Sequence, residues 1–96
     1  MIFKSEIQCG DELVIRTRNS RYTLQALPNG RFRIFGGWFD RHCDSPPELT
    51  INGCTWGGSV IKQDIVAAIG LCIEFGNRVV TSPVQRVVHL PSTMRN

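Results

Sequence analysis

Residues 11–39, DELVIRTRNSRYTLQALPNGRFRIFGGWF, decide how this chain is read, because alternation, turn signals and clustered charge coincide only there. Leu13, Ile15 and Thr17 alternate with Val14, Arg16 and Arg18, and Tyr22, Leu24 and Ala26 alternate with Arg21, Thr23 and Gln25. Period-two alternation marks a half-buried strand. With Asn19-Ser20 as a two-residue link, Arg18 is expected opposite Arg21, Arg16 opposite Thr23 and Val14 opposite Gln25, while Thr17, Ile15 and Leu13 meet Tyr22, Leu24 and Ala26 on an apolar face. The next turn, Pro28-Asn29-Gly30, is read as a three-residue loop with Gly30 left-handed. A two-residue Asn29-Gly30 turn would set Ala26 against Arg33 and point a guanidinium inward, whereas the longer loop sets Ala26 against Phe32 and Leu24 against Ile34. Arg31, Arg33 and Phe35 then join the polar face. Arg16, Arg18, Arg21, Arg31 and Arg33, five of the eleven basic residues, are expected to form one basic surface.

The flanking sequence continues in short β units. Residues 2–7 are read as a first strand. Gly36-Gly37 interrupts the alternation, so a bend is expected there, with the strand resuming through Trp38 to Asp40. Residues 41–48, RHCDSPPE, read as an exposed loop. Asn52-Gly53 between residues 49–51 and 54–56 has the sequence of a type I′ hairpin turn. Gly57, Gly58 and Ser59 look like a second diglycine corner, for the fold or for an anion, although no Walker spacing accompanies them. Residues 60–70 combine helical spacing with β-branched content and are read as a short strand or turn, with at most one or two helical turns before Gly70. Residues 71–75 and 78–82 flank Gly76-Asn77 as a last hairpin, with Ile73 opposite Val80 and Glu74 opposite Val79. A 3₁₀ turn at residues 84–86, a closing strand at 87–90 and a frayed tail at 91–96 complete the chain. The expected fold is all-β: one domain over residues 1–96, a small closed or partly open barrel of six to eight short antiparallel strands, of the size of SH3-like or OB-like barrels.

Composition narrows the function classes. Ninety-six residues suffice for one core without disulfides, and no apolar run approaches the ~18 residues of a membrane span. The N-terminus lacks a signal-peptide pattern, so a cytoplasmic protein without a membrane partner is expected. Cys9, Cys43, Cys54 and Cys72 form no Cys-x-x-Cys unit and are read as structural thiols. A metal site built from His42 and Cys43 with Cys9 or His89 has no spacing to support it, so neither metal nor cofactor is assigned. The net charge of +3 and pI near 8.9 are mild, but arginine outnumbers lysine nine to two, and arginine suits planar contact with phosphate or carboxylate.

The strings IRTRNSRY (15–22), TWGGSVIK (55–62) and VVTSPVQRV (79–87) resemble recurring blocks of small uncharacterised bacterial proteins, with an Arg-Asn-Ser-x-Tyr hairpin, a Gly-Gly-Ser corner and a Thr-Ser-Pro-Val segment. The resemblance spans residues 10–88 and implies a single β domain. It implies no catalytic residue.

The expected function is therefore a non-catalytic binding module. Its foremost form is a protein-interaction or oligomer-forming domain, contacting an anionic surface or partner through Arg16, Arg18, Arg21, Arg31, Arg33, Phe35 and Trp38. The alternative is a single-stranded nucleic-acid-binding barrel, which pairs a basic groove with aromatic platforms. A small enzyme or ligand carrier comes third, because no spacing forces a nucleophile and base, paired carboxylates or a metal cluster together.

Overall fold

Alternation at residues 12–26 does what burial requires of it: Leu13, Ile15, Thr17, Tyr22, Leu24 and Ala26 are all buried, and the residues between them face solvent or its margin. The computed structural model describes residues 1–56 and 60–94. Its strands are β1 (Ile2–Phe3), β2 (Glu12–Thr17), β3 (Arg21–Ala26), β4 (Arg31–Gly36), β5 (Glu48–Thr55), β6 (Ile61–Lys62), β7 (Ile65–Ala67), β8 (Cys72–Phe75) and β9 (Val84–Leu90), with one helix, α1 (Gly37–His42). The main sheet runs β6-β5-β4-β3-β2-β9, all antiparallel, with β8 also on β5, and it curls strongly into a half-barrel. β1 and β7 form a separate pair. The start of β9 is tied to the residues before β8, because Gly70 N–H donates to Val84 O and Val84 N–H to Leu71 O, each at 2.8 Å. The fold is thus the all-β, partly open barrel expected. Among the described residues no helix is long and apolar enough to cross a membrane.

The β3–β4 turn has the expected geometry: Ala26 faces Phe32, Leu24 faces Ile34, and Gly30 is left-handed at φ 73°. The β2–β3 turn does not. Its register is two residues away from the expected one, with Arg16 opposite Arg21, Ile15 opposite Tyr22 and Leu13 opposite Leu24. The cause is Thr17. Its hydroxyl donates to Ser20 O and accepts from Ser20 N–H and Ser82 Oγ, closing a four-residue turn. Arg18 N–H, instead of entering the ladder, donates to Pro83 O. An even slip leaves every side chain on its own face, so the burial pattern is unchanged.

Residues 60–70 are strand and turn as expected, while several other expectations are corrected by tertiary pairing. The first strand is only two residues long and passes into a 3₁₀ turn, Lys4–Glu6. After Gly36 the chain enters α1 rather than resuming a strand: Gly36, at φ 97°, donates its N–H to Asp40 Oδ1, and Trp38 stacks on His42 one turn later at 4.1 Å. Asn52-Gly53 makes no hairpin. β5 runs straight through it with a bulge opposite β8, and Asn52 Nδ2 bridges to Glu74 Oε2 and Phe75 O. Gly53 belongs there because the backbone of Lys62 passes so close that a Cβ would collide with its carbonyl. Residues 60–70 contain β6, β7 and turns without helix. The last hairpin closes through three residues, 76–78, with Arg78 left-handed, so Glu74 pairs with Val80. Residues 84–86 belong to β9 rather than to a 3₁₀ turn. The tail is held at its start, where Ser92 N–H donates to Asp11 Oδ1 and a 3₁₀ turn spans Ser92–Met94. The diglycine corner at Gly57 and Gly58 lies outside the described residues.

The core gathers Leu13, Ile15, Leu24, Ile34, Ile73 and Phe75 inside the curl, and Phe39 of α1 plugs one end. Phe39 packs edge-on to Phe75 at 5.0 Å and to Tyr22 at 6.2 Å. Such pairs add about 0.5–1.5 kcal/mol each beyond area burial.

Candidate functional site

The convex face of β9, β2, β3 and β4 carries the charge. Across these strands the ladder sets side chains in rows about 4.8 Å apart. Arg86 lies opposite Arg16, and Arg16 opposite Arg21, so three guanidinium-bearing residues sit side by side on three consecutive strands. All three are exposed. The salt bridges among the described residues are Arg33–Glu48 at 2.8 Å and His89–Asp11 at 2.8 Å, so no carboxylate neutralises this triplet. Like charges directly across a ladder are destabilising. Arg16, flanked on both sides, bears most of that cost.

Two residues along the strands lies a different row. Phe35, Thr23, Val14 and Val88 are aligned across β4, β3, β2 and β9, all half-exposed. Val14, Val88, Arg16, Arg21 and Arg86 line one shallow concavity of about 230 Å³. Arg16, Arg18 and Arg21 share a second of about 210 Å³ around the β2–β3 turn. The surface therefore presents an unneutralised cationic row with an apolar row beside it.

The seven residues singled out from sequence divide into four places. Arg16, Arg18 and Arg21 come together. Arg33 shares their face but donates to Glu48 Oε2, and Arg31 donates to Glu48 O, so these two sit apart and engaged. The hydrogen bond from Arg33 holds the Glu48 carboxyl below its ordinary range against slight desolvation, with Arg31 adding to the effect. Phe35 lies in the apolar row. Trp38 does not reach this face; it packs against the core and stacks on His42, whose Nδ1 lies 2.8 Å from Trp38 O. Arg86 was not among the sequence-predicted set. Its only signal was an arginine in a β-branched run after Pro83, which a 3₁₀ turn explained equally well.

A third concavity, about 400 Å³, opens beneath the β3–β4 turn, with Ile7, Ala26, Leu27, Phe32 and Ile51 in its wall. Lys4, Cys9 and Arg31 are its titratable residues, and no carboxylate or imidazole lines it. It offers contact rather than acid–base chemistry. Among the described residues no three His, Cys, Asp or Glu side chains come together as a metal site, and the cysteines are free thiols. His42 and His89 are engaged separately, with Trp38 O and with Asp11. Burial pushes the Cys54 thiol up to about 11, which keeps it protonated and unreactive at neutral pH.

Comparison with protein-family models, curated proteins and solved structures finds no match.

Proposed function

We propose that this chain is a protein-interaction module that holds an acidic, amphipathic segment of a partner on its convex sheet face. The observation that carries the reading is the triplet Arg21–Arg16–Arg86, in register on adjacent strands and without a carboxylate partner among the described residues. A fold that tolerates three like charges in one ladder row gains most from an anionic occupant. The adjoining row of Val14, Val88 and Phe35 favours carboxylates alternating with apolar side chains over a bare polyanion. Single-stranded nucleic acid fits less well, because it draws on several aromatic platforms and this face has only Phe35, half-buried.

The test is fluorescence anisotropy with a labelled peptide of alternating glutamate and leucine, and with labelled single-stranded RNA, at low and high salt. The peptide is expected to bind, to weaken with salt, and to lose at least about tenfold in affinity when Arg16→Ala and Arg86→Ala are combined, since each charged hydrogen bond contributes roughly 1.5–3 kcal/mol. Arg33→Ala, whose guanidinium is already held by Glu48, is expected to leave binding unchanged. RNA binding tighter than peptide binding and lost in the same double variant would replace this reading with the nucleic-acid one. Binding of neither probe would refute both.

A further inference from the structure

We propose that a second copy of the chain adds its β9 to the open edge of β9, antiparallel and centred on Val88. The proposal does not depend on what the arginine face binds. β9 is the last strand of the sheet, and among the described residues only its Val84, at the start, has a backbone partner on the far side, in Gly70 and Leu71. From Arg86 to its end it pairs with β2 alone among the described residues. Strand edges are ordinarily protected by lysine, proline, a bulge or a covering element. Residues 86–90, RVVHL, carry no lysine, proline or acid, and the one irregularity, at Gln85, comes before them.

Burial shows that this margin of the core is unfinished. Ile15 and Leu13 are 0% and 1% exposed, yet their ladder partners on the same inner face remain partly exposed, Val87 at the margin of the core and the His89 side chain at 19%. Leu90 at one end of the edge is 37% exposed, and Ile69, next to the residue bonded to Val84 at the other end, is 62% exposed. Adding a strand along residues 86–90 would cover Val87, His89 and Leu90.

The sequence of the edge selects its occupant and register. Two copies related by a twofold axis normal to the sheet keep the same face outward, so each residue meets one of equal parity and the axis passes through a residue. An axis at Arg86 sets arginine against arginine. One at Val87 brings His89 onto the irregular Gln85, and one at His89 or Leu90 runs the pairing into Pro91, which has no N–H to give. At Val88 all five residues pair: Val88 with Val88 of the second copy, Val87 with His89, Arg86 with Leu90. The arginines of the two copies then stand about 13 Å apart, four residues along the strand. The row Phe35–Thr23–Val14–Val88 runs into its mate, giving one apolar stripe across eight strands with an arginine triplet on either side of it.

The test joins mass in solution with a register-specific cross-link. Light scattering of the intact chain over a wide concentration range is expected to show a dimer, and Val88→Lys to give a monomer with an unchanged near-ultraviolet spectrum. In a Cys9→Ser background, Val88→Cys is expected to form a disulfide-linked dimer under mild oxidation, because Cα atoms facing each other across an antiparallel pair lie about 4.5–5.5 Å apart, within disulfide reach. Arg86→Cys, at about 13 Å from its mate, is expected to stay unlinked. A monomeric mass at every concentration, a dimer that Val88→Cys fails to link, or equal linking at positions 86 and 88 would overturn the proposal.

Discussion

Arg16 stands between Arg21 and Arg86, and that position makes it a residue whose loss should stabilise the fold. Opposite like charges in a ladder cost about 0.2–1 kcal/mol, and threonine is well suited to an exposed strand site, so Arg16→Thr is expected to raise unfolding stability by about that amount. Urea unfolding at low salt reads the gain, and high salt should shrink it by screening the repulsion that the variant relieves. Arg33→Thr, in a strand of the same face but paired with Glu48, is the control and should show no such gain. A lower midpoint for Arg16→Thr would mean that the triplet is not repulsive and would remove the main support for an anionic occupant. At the same scale, Cys54 is expected to resist alkylation at neutral pH while exposed Cys9 reacts, as mass spectrometry of the folded and unfolded chain would report. The sequence brought out the arginine face but put the repulsion at Arg18 and Arg21. Hydrophobic patterning is blind to an even register slip, and the groups that impose it, Thr17 and Ser82, are bonded across 65 residues of chain. Arg86 stayed hidden for the same reason: only the pairing of distant β9 with β2 makes it a neighbour of Arg16.

Elements were legible where local chemistry alone determined them. The Pro28-Asn29-Gly30 loop and both faces of β2 and β3 follow from turn residues and period-two burial, and the structure has them as read. The bend expected at Gly36-Gly37 is present, but the strand read beyond it and the hairpin read at Asn52-Gly53 are not, because the same dipeptides serve different ends once a neighbour arrives from elsewhere. Asn52-Gly53 has the residues of a tight hairpin, yet β8, some 20 residues on, supplies a strand partner that turns it into a bulge. Gly36 leaves the strand because its N–H is taken by Asp40, and its Cα faces the carbonyl of Arg21 so closely that no Cβ fits. Gly36→Ala therefore combines a positive φ with a backbone collision, and an unfolding loss of at least about 1–3 kcal/mol is expected from chemical denaturation. The strand that must yield is β3 at Arg21, so peptide binding to the arginine face should weaken as well. An Asp40→Ala variant, which removes only the acceptor of the Gly36 N–H, should lose about 0.5–1.5 kcal/mol and leave Arg21 in place. If both variants proved neutral, α1 would not be held by the contacts that define it.

At the scale of the molecule, one buried carboxylate ties the two ends of the chain to the sheet. Asp11 Oδ2 accepts from Gln8 N–H at 3.0 Å and lies 2.8 Å from His89 Nε2, and Oδ1 accepts from Ser92 N–H at 2.9 Å. The residues before β2, the end of β9 and the C-terminal turn thus converge on a single side chain that is 4% exposed. No pattern in the sequence signals this convergence, since two of its three partners, His89 and Ser92, are 78 and 81 residues away. Burial by itself would raise the Asp11 pKa, but the donors from Gln8, Ser92 and His89 outweigh it and bring the pKa down to about 2 from the ordinary 3.8. Because the folded state takes up this proton less readily than the unfolded one, the contribution is complete above about pH 4 and is lost as pH falls toward 2. Its size is about 2 kcal/mol. Urea unfolding of the intact chain at pH 5, 4, 3 and 2 should therefore show stability falling across that window. Asp11→Asn should be less stable at neutral pH and should lose most of the slope, leaving the part that Glu48 supplies. Equal slopes in the two proteins would mean that Asp11 is not the group through which acid opens the fold. Because Asp11 also bonds His89 near the end of β9 and Ser92 just beyond it, dimer mass is expected to decline over the same pH range in the wild-type chain and to change less in Asp11→Asn.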